Sequence, residues 1–341
     1  MNKRTFLIGT TAAAATALAR TTGVAAFVGV TGAEAIAASG AELPKELHIG
    51  YQKVGPMLIL KEQALLDKRL AAQGIAVTWV QFQSGPPIIE ALNAGAIDFG
   101  YTGDTPAIFA QASGVNFVYV ASIPSPGSSN AILVRDDSGI KTLADLRGKK
   151  IALVKGSSAH NVLVQALEKA HIAWSDISPV YLQPADGAAA IQSGAVQAWS
   201  IWDPFYAVGQ RYPGVHVLTD AVGIAPSNSF LLAAHDYATK YPSTIAAVID
   251  EAQRAWRWSS THQDRIAEVL AAASGVDLSA EKVVAARGNY QVSFMTREVV
   301  RRQQSIADTF AKLGLIPHVI QVSEAVWTPN GKLAFAEGLI H

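Results

Sequence analysis

The chain has 341 residues, half of them hydrophobic, with 27 basic and 27 acidic side chains and no formal net charge. A balanced charge without a basic run disfavours binding to bulk nucleic acid, which needs clustered cations against phosphates. Cysteine is absent, which excludes disulfides, thiolate nucleophiles, cysteine–zinc sites and a cysteine-linked lipid.

Residues 1–38 read as a secretory signal. Lys3 and Arg4 open it, an alanine-rich apolar run follows over 6–19, and small-x-small cleavage sites occur at Ala33-Glu34-Ala35 and Ala35-Ile36-Ala37. Arg20 divides the apolar stretch, and neither part reaches the ~20 residues of a spanning helix. The expectation is a protein free in a bacterial periplasm, with no stable membrane insertion once the signal is removed.

The remaining chain has an α/β rhythm. Strands are predicted over 46–51, 76–82, 97–101, 117–122, 130–134, 149–154, 180–182, 196–202 and 229–233. Helices are predicted over 57–72, from Ser84-Gly85-Pro86, over 105–113, 159–170 and 186–193, and over most of 241–310. Pro106 after Thr105 is a helix-start signal, and Gly114 can supply a left-handed stop. Residues 44–134 and 229–327 are expected to form one lobe and 135–228 a second, inserted lobe. The crossings near 130–134 and 229–233 would be the hinge, and 328–341 a tail.

One segment has an echo. GAIDFGYTGDTPAIFAQ (95–111) aligns with GAVQAWSIWDPFYAVGQ (194–210) at a constant offset, so that Gly95 answers Gly194, Asp104 answers Asp203 and Gln111 answers Gln210. Repeats this long indicate two lobes of like topology rather than a solenoid.

The strand-to-helix turns collect the candidate ligand residues: Gln52 beside Lys53, Ser84-Gly85, Thr102-Gly103-Asp104, Ser157-Ser158 with His160-Asn161, and Trp202-Asp203. In open α/β sheets such turns share one edge, where helix N-termini present unpaired N–H groups to anions. Neutral donors of this kind suit a small tetrahedral anion. Each residue also has a plainer role open to it. Ser157 can simply cap its helix, His160 and Trp202 can be packed, and Asp104 and Asp203 can either face a ligand cation or cap their own helices. No metal site is expected, since the histidines lack a spaced partner set.

Five segments carry a resemblance: IGYQK (49–53), ALNAGAIDFGYTGDTPAIFAQASG (91–114), KGSSAHN (155–161), YLQPADGAAA (181–190) and AWSIWDPF (198–205). Over about 47–327 the chain resembles the aliphatic sulfonate-binding proteins of bacterial ABC importers, within the group that binds taurine, nitrate and thiamine precursors. The resemblance implies a type II periplasmic binding fold, with two α/β lobes on a hinge closing over an alkanesulfonate. It implies a membrane permease–ATPase partner and a role in sulfur acquisition, with no cofactor and no catalysis; a monomer is expected. The serine of the family's STGD-type element is Tyr101 here. The sulfonate is expected against the Ser84, Thr102 and Ser158 turns, with its tail on Trp202 and Phe205. Rival readings are taurine, nitrate or another small anion, and an enzyme using Ser158, His160 and Asp203.

Overall fold

The computed structural model describes residues 42–329 apart from 126 and 290. The expected signal segment and nearly all of the expected tail lie outside these residues. The chain opens with β1 (Glu46–Gln52), α1 (Pro56–Gln63), α2 (Leu65–Ala71), β2 (Ala76–Phe82), α3 (Gly85–Asn93), β3 (Phe99–Thr102), α4 (Asp104–Ala112) and β4 (Phe117–Ser125). It then runs through β5 (Asn130–Arg135), β6 (Lys150–Leu153), α5 (Ser158–Lys169), β7 (Ser178–Tyr181), α6 (Pro184–Ser193), β8 (Ala198–Trp202), α7 (Phe205–Gly209) and β9 (Val215–Asp220). It closes with β10 (Ser227–Ala234), α8 (His235–Lys240), α9 (Pro242–Thr261), α10 (Gln263–Ser274), α11 (Leu278–Arg287) and α12 (Arg297–Lys312).

These strands form two sheets, ordered β2-β1-β3-β10-β4 and β7-β6-β8-β5-β9. The two orders are the same in sense. Each has three parallel strands, then one strand antiparallel to both its neighbours. The repeat seen in the sequence therefore reappears as topology. Parallel strands need helical crossovers, and these cover the sheet faces and bury the apolar runs of β4 and β5.

Two expectations are corrected. Segments 130–134 and 229–233 are not the crossings. They belong to β5 and β10, each hydrogen-bonded on both sides within one sheet, because their unbroken apolar runs fit a central strand. The chain changes sheets between Ser125 and Asn130 and between Asp220 and Ser227. Consequently β5 sits with the second sheet rather than the first. The two crossings touch at Gly127, which has φ 95°; a Cβ there would lie 2.5 Å from the backbone of Ala221. Only glycine meets both conditions. The helix predicted over 57–72 is likewise two helices. Ala64 adopts the left-handed conformation (φ 52°) and breaks it. The break re-phases the chain so that Leu66 and Leu70, four apart on α2, are both buried.

The helical C-terminal third packs on the first sheet. α12 buries Gln303, Ile306, Ala307 and Phe310 on one face. Beyond it the chain returns to the sheet edge, where the Trp327 N–H donates to the Tyr119 carbonyl at 3.0 Å. Among the described residues no helix is long and apolar enough to cross a membrane.

Candidate functional site

Strands β1, β2 and β3 of the first lobe and β6 and β8 of the second all end toward the junction between the lobes. The turns after them bring the N-termini of α3, α4 and α5 to one cavity of about 160 Å³. Its polar wall includes Gln52, Gly85, Gly103, Ser157, Ser158, Trp202 and Asp203, drawn from both lobes. None of the N-cap side chains Ser84 and Ser157 bonds the first turn of its own helix, and the third N-cap is Gly103. The N-cap side chains therefore leave the positive ends of these helices open, although Asp104 takes one N–H in the first turn of α4.

The lobes meet tightly here. A Cβ on Gly103 would overlap the Ser158 hydroxyl and stand 3.1 Å from Ser158 Cβ, so the glycine is what permits the approach. Gly103 has φ −73°, hence the requirement is one of space, not of conformation.

The two repeated aspartates behave alike. Asp104 accepts from the Thr105 N–H at 2.7 Å within its own helix and from Asn161 Nδ2 of the other lobe at 2.6 Å. Asp203 accepts from the Ala207 N–H at 2.9 Å, in the first turn of α7, and from Arg287 Nη1 of the other lobe at 3.1 Å. Each aspartate therefore accepts one first-turn N–H of its own helix, from outside the N-cap position, and also bridges the lobes. Burial drives both carboxyl groups above the ordinary range. Asp104 is 1 % exposed and is raised against the opposing pull of its bonds to Thr105, Asn161 and Ser158. Asp203 is pushed up to about 6, despite the neighbouring guanidinium. Gln303 of α12 steadies the first of these bridges by donating to the Asp104 carbonyl at 2.8 Å.

Several predicted residues lie behind the cavity wall instead of on it. Ser84 donates to Gln183 Oε1 at 3.1 Å, a bond between the N-cap positions of α3 and α6 in opposite lobes. Thr102 donates to the Gly103 carbonyl at 2.8 Å. Asn161 is held by Asp104. His160 is fully buried among Phe109, Trp174, Tyr181 and Phe310, drawn from both lobes. Its Nδ1 accepts the Gly156 N–H at 3.2 Å, and burial, aided by Lys155, depresses its pKa to about 3. It is a neutral interlobe packing residue turned away from Ser158, so the hydrolytic grouping does not assemble. Ser157 lines the cavity but donates its hydroxyl to the Val154 carbonyl at 2.8 Å. Phe205 packs edge-on against Trp202 and is not part of the wall.

The structure adds residues that the sequence did not mark. Arg287, in the last turn of α11, is the only cationic residue among the described wall residues, as Asp203 is the only acidic one. Its guanidinium lies 3.8 Å from the Tyr206 ring centroid, and Nη2 donates to Gln210 at 3.1 Å. Arginine at the end of a helix ordinarily complements the helix dipole, so nothing local distinguished it. Tyr101 also enters the wall. Its ring packs where a Cβ on Gly55 would lie 2.9 Å from Cε1, and its hydroxyl bonds Ser229. The departure at this position was visible as a change from serine; its direction into the cavity was not.

Residues 70–266 match the family model described as NMT1/THI5 like. The chain is 39% identical over 311 residues to the putative aliphatic sulfonates-binding protein of Escherichia coli K12, covering 89% of this chain and 96% of that one. Among solved structures it is similar to the alkanesulfonate-binding protein SsuA of Xanthomonas axonopodis pv. citri bound to MOPS. That similarity has a TM-score of 0.80 and 37% identity, over 84% of this chain and 99% of the other. It is similar also to the periplasmic aliphatic sulphonate binding protein SsuA of Escherichia coli, with a TM-score of 0.77 and 38% identity over 88% and 97% of the two chains. The two five-stranded sheets match the architecture of these periplasmic binding proteins, and all three relatives are named as binding proteins. With a family match over more than half its length and a relative covered almost end to end, the chain belongs to the NMT1/THI5-like family.

Proposed function

We propose that this protein captures aliphatic sulfonates between its lobes in the periplasm and delivers them, as a monomer and without catalysis, to an ABC permease with its ATPase. The observation that carries this reading is the polar end of the cavity. Three helix N-termini meet one guanidinium there, around a space closed by both lobes. A sulfonate is permanently charged and only accepts hydrogen bonds, so it matches a set made of donors. Gly85, Gly103, Ser158 and Arg287 are its proposed partners, with Gln52 and Trp202 beside them. Opening and closing would turn on the paired crossings at 127–129 and 221–226, with residues 130–220 as the moving lobe. The bridge from Asp104 to Asn161 favours the closed form, which is the form a permease would recognise.

An enzymatic reading finds no support in the site, since the imidazole of His160 is walled off from Ser158. Taurine is a weaker match, because Asp203 already serves Arg287. Isothermal titration with ethane-, butane- and octanesulfonate, taurine, sulfate and nitrate tests the proposal. Micromolar or tighter sulfonate binding with sulfate silent is expected. Silence toward every sulfonate would overturn it.

Two further results are expected. On binding, the Ser158 hydroxyl would turn from Asp104 to the sulfonate; Ser158→Ala should then weaken sulfonate binding by about 1–3 kcal/mol, the worth of a hydrogen bond to a charged group, and unchanged affinity would remove the Ser158 hydroxyl from the site. The ligand does not titrate, so any pH dependence belongs to the protein. Asp203 competes with the anion for Arg287 when ionised. Affinity should therefore rise as pH falls through about 6, where this carboxylate takes up its proton. Titrations from pH 7.5 to 5 should show that trend, and Asp203→Asn should abolish it.

A further inference from the structure

The cavity does not end at its polar wall. Its far side is made by Ile59 of α1, Trp256 of α9, Ile266 and Leu270 of α10, and Val284 and Ala285 of α11, all of them in the apolar core of the first lobe. We infer that this is the compartment for the ligand's tail. It would accept a short unbranched apolar group of up to about four carbons, directed into the helical cluster of the first lobe and away from Trp202 and Phe205. The inference rests on the sulfonate reading above and adds where the tail goes and what chemistry it has.

Helix α11 joins the two ends. Val284 and Arg287 are three residues apart and so share a helix face. Three residues rise about 4.5 Å along a helix, close to the distance from a sulfonate sulfur to its third carbon in an extended tail. A head group at Arg287 therefore places the first carbons of its tail beside Val284. The size of the cavity sets the limit. The whole cavity of about 160 Å³ is near the volume that admits one benzene ring, and the head group takes a share of it, which leaves room for about four carbons. The composition sets the chemistry. Ile59, Ile266, Leu270, Val284 and Ala285 offer no side-chain acceptor, so an ammonium group at the tail end would be buried without a partner. That favours plain alkyl sulfonates over amino-sulfonates.

The test is the gain per methylene, measured by titrating the purified full chain with methane-, ethane-, propane- and butanesulfonate. In the wild type each added methylene should tighten binding about fourfold. Val284→Phe should fill the compartment and abolish these increments. Leu270→Ala should instead enlarge it, so that the increments continue to octanesulfonate. The second variant changes the result in the opposite direction, so loss of folding in one cannot imitate the pair. Fourfold increments that persist in Val284→Phe, or a wild type with no increments at all, would overturn this placement of the tail and leave the sulfonate reading standing. A wild type that binds no sulfonate would overturn the sulfonate reading itself.

Discussion

Replacing Arg287 by alanine is expected to weaken sulfonate binding by about 100-fold or more, within the range for truncating one member of a buried charge pair. The reasoning is one of inventory. The cavity wall holds one cation and one anion among its described residues, and they are bonded to each other across the cleft at 3.1 and 3.3 Å. The Asp203 side chain is 3 % exposed and that of Arg287 19 %. Water therefore screens the pair weakly, and either partner left alone is costly. Nη1 and Nη2 serve Asp203 and Gln210, whereas Nε takes no partner among the described residues and is free to meet an anion. Arg287→Ala removes that donor and leaves Asp203 buried without its counter-ion. The carboxylate should then hold its proton to still higher pH. A carboxyl whose folded pKa lies above its unfolded value makes the protein less stable as pH rises through that interval, so the variant should lose stability toward neutral pH more than the wild type does. Titration calorimetry and thermal unfolding between pH 5 and 8 read both effects. Asp203→Asn is the discriminating control: it should keep sulfonate binding at pH 7. Should Arg287→Ala bind normally while Asp203→Asn does not, the roles assigned to the pair are reversed.

Gly103→Val should bind sulfonate at least about 100-fold more weakly, by preventing closure rather than by removing a contact. Even the first added carbon overlaps the Ser158 hydroxyl. A rotation of that hydroxyl would relieve part of the overlap but would abandon its bond to Asp104, and Ser158 Cβ would remain at 3.1 Å. Overpacking of this kind typically costs about 1–3 kcal/mol per site, and a branched side chain exceeds what rotation can absorb. Each lobe has an apolar core largely its own, with Val164 and Ala207 of the second lobe packed into clusters of the first, so the lobes can stay folded and rest apart. Small-angle scattering should show a variant that does not contract on addition of butanesulfonate. Gly103→Ala combined with Ser158→Gly supplies the check, because removing the opposing side chain should restore part of the lost contraction. Such non-additivity is the mark of two groups in direct contact. A Gly103→Val protein that contracts and binds as the wild type does would show that the lobes do not meet at this point.

The sequence by itself determined the local events. Alternating apolar patterns and helix-start signals depend on neighbours within a turn or two, so they gave the α/β rhythm, the strand-to-helix turns and the repeat that became two sheets of one topology. They also marked part of the polar wall, because residues at the ends of parallel strands share an edge in any such sheet, but Ser125, Ser129, Asn130, Ser227, Ser229 and Asn289 of that wall went unmarked. What the sequence could not fix was everything that depends on distance across the chain. The crossings were misplaced because β5 and β10, as apolar central strands, look like any others until their hydrogen-bond partners are known. His160 read as a donor near Ser158, yet four aromatic rings drawn from both lobes enclose it. Arg287 lies 84 residues beyond Asp203 in the sequence and bonds to it in the fold. The apolar compartment is assembled from four helices, none of which is distinctive alone. Local backbone preference is a property of short segments, whereas a cavity is a property of packed surfaces, and only the tertiary structure decides which surfaces meet.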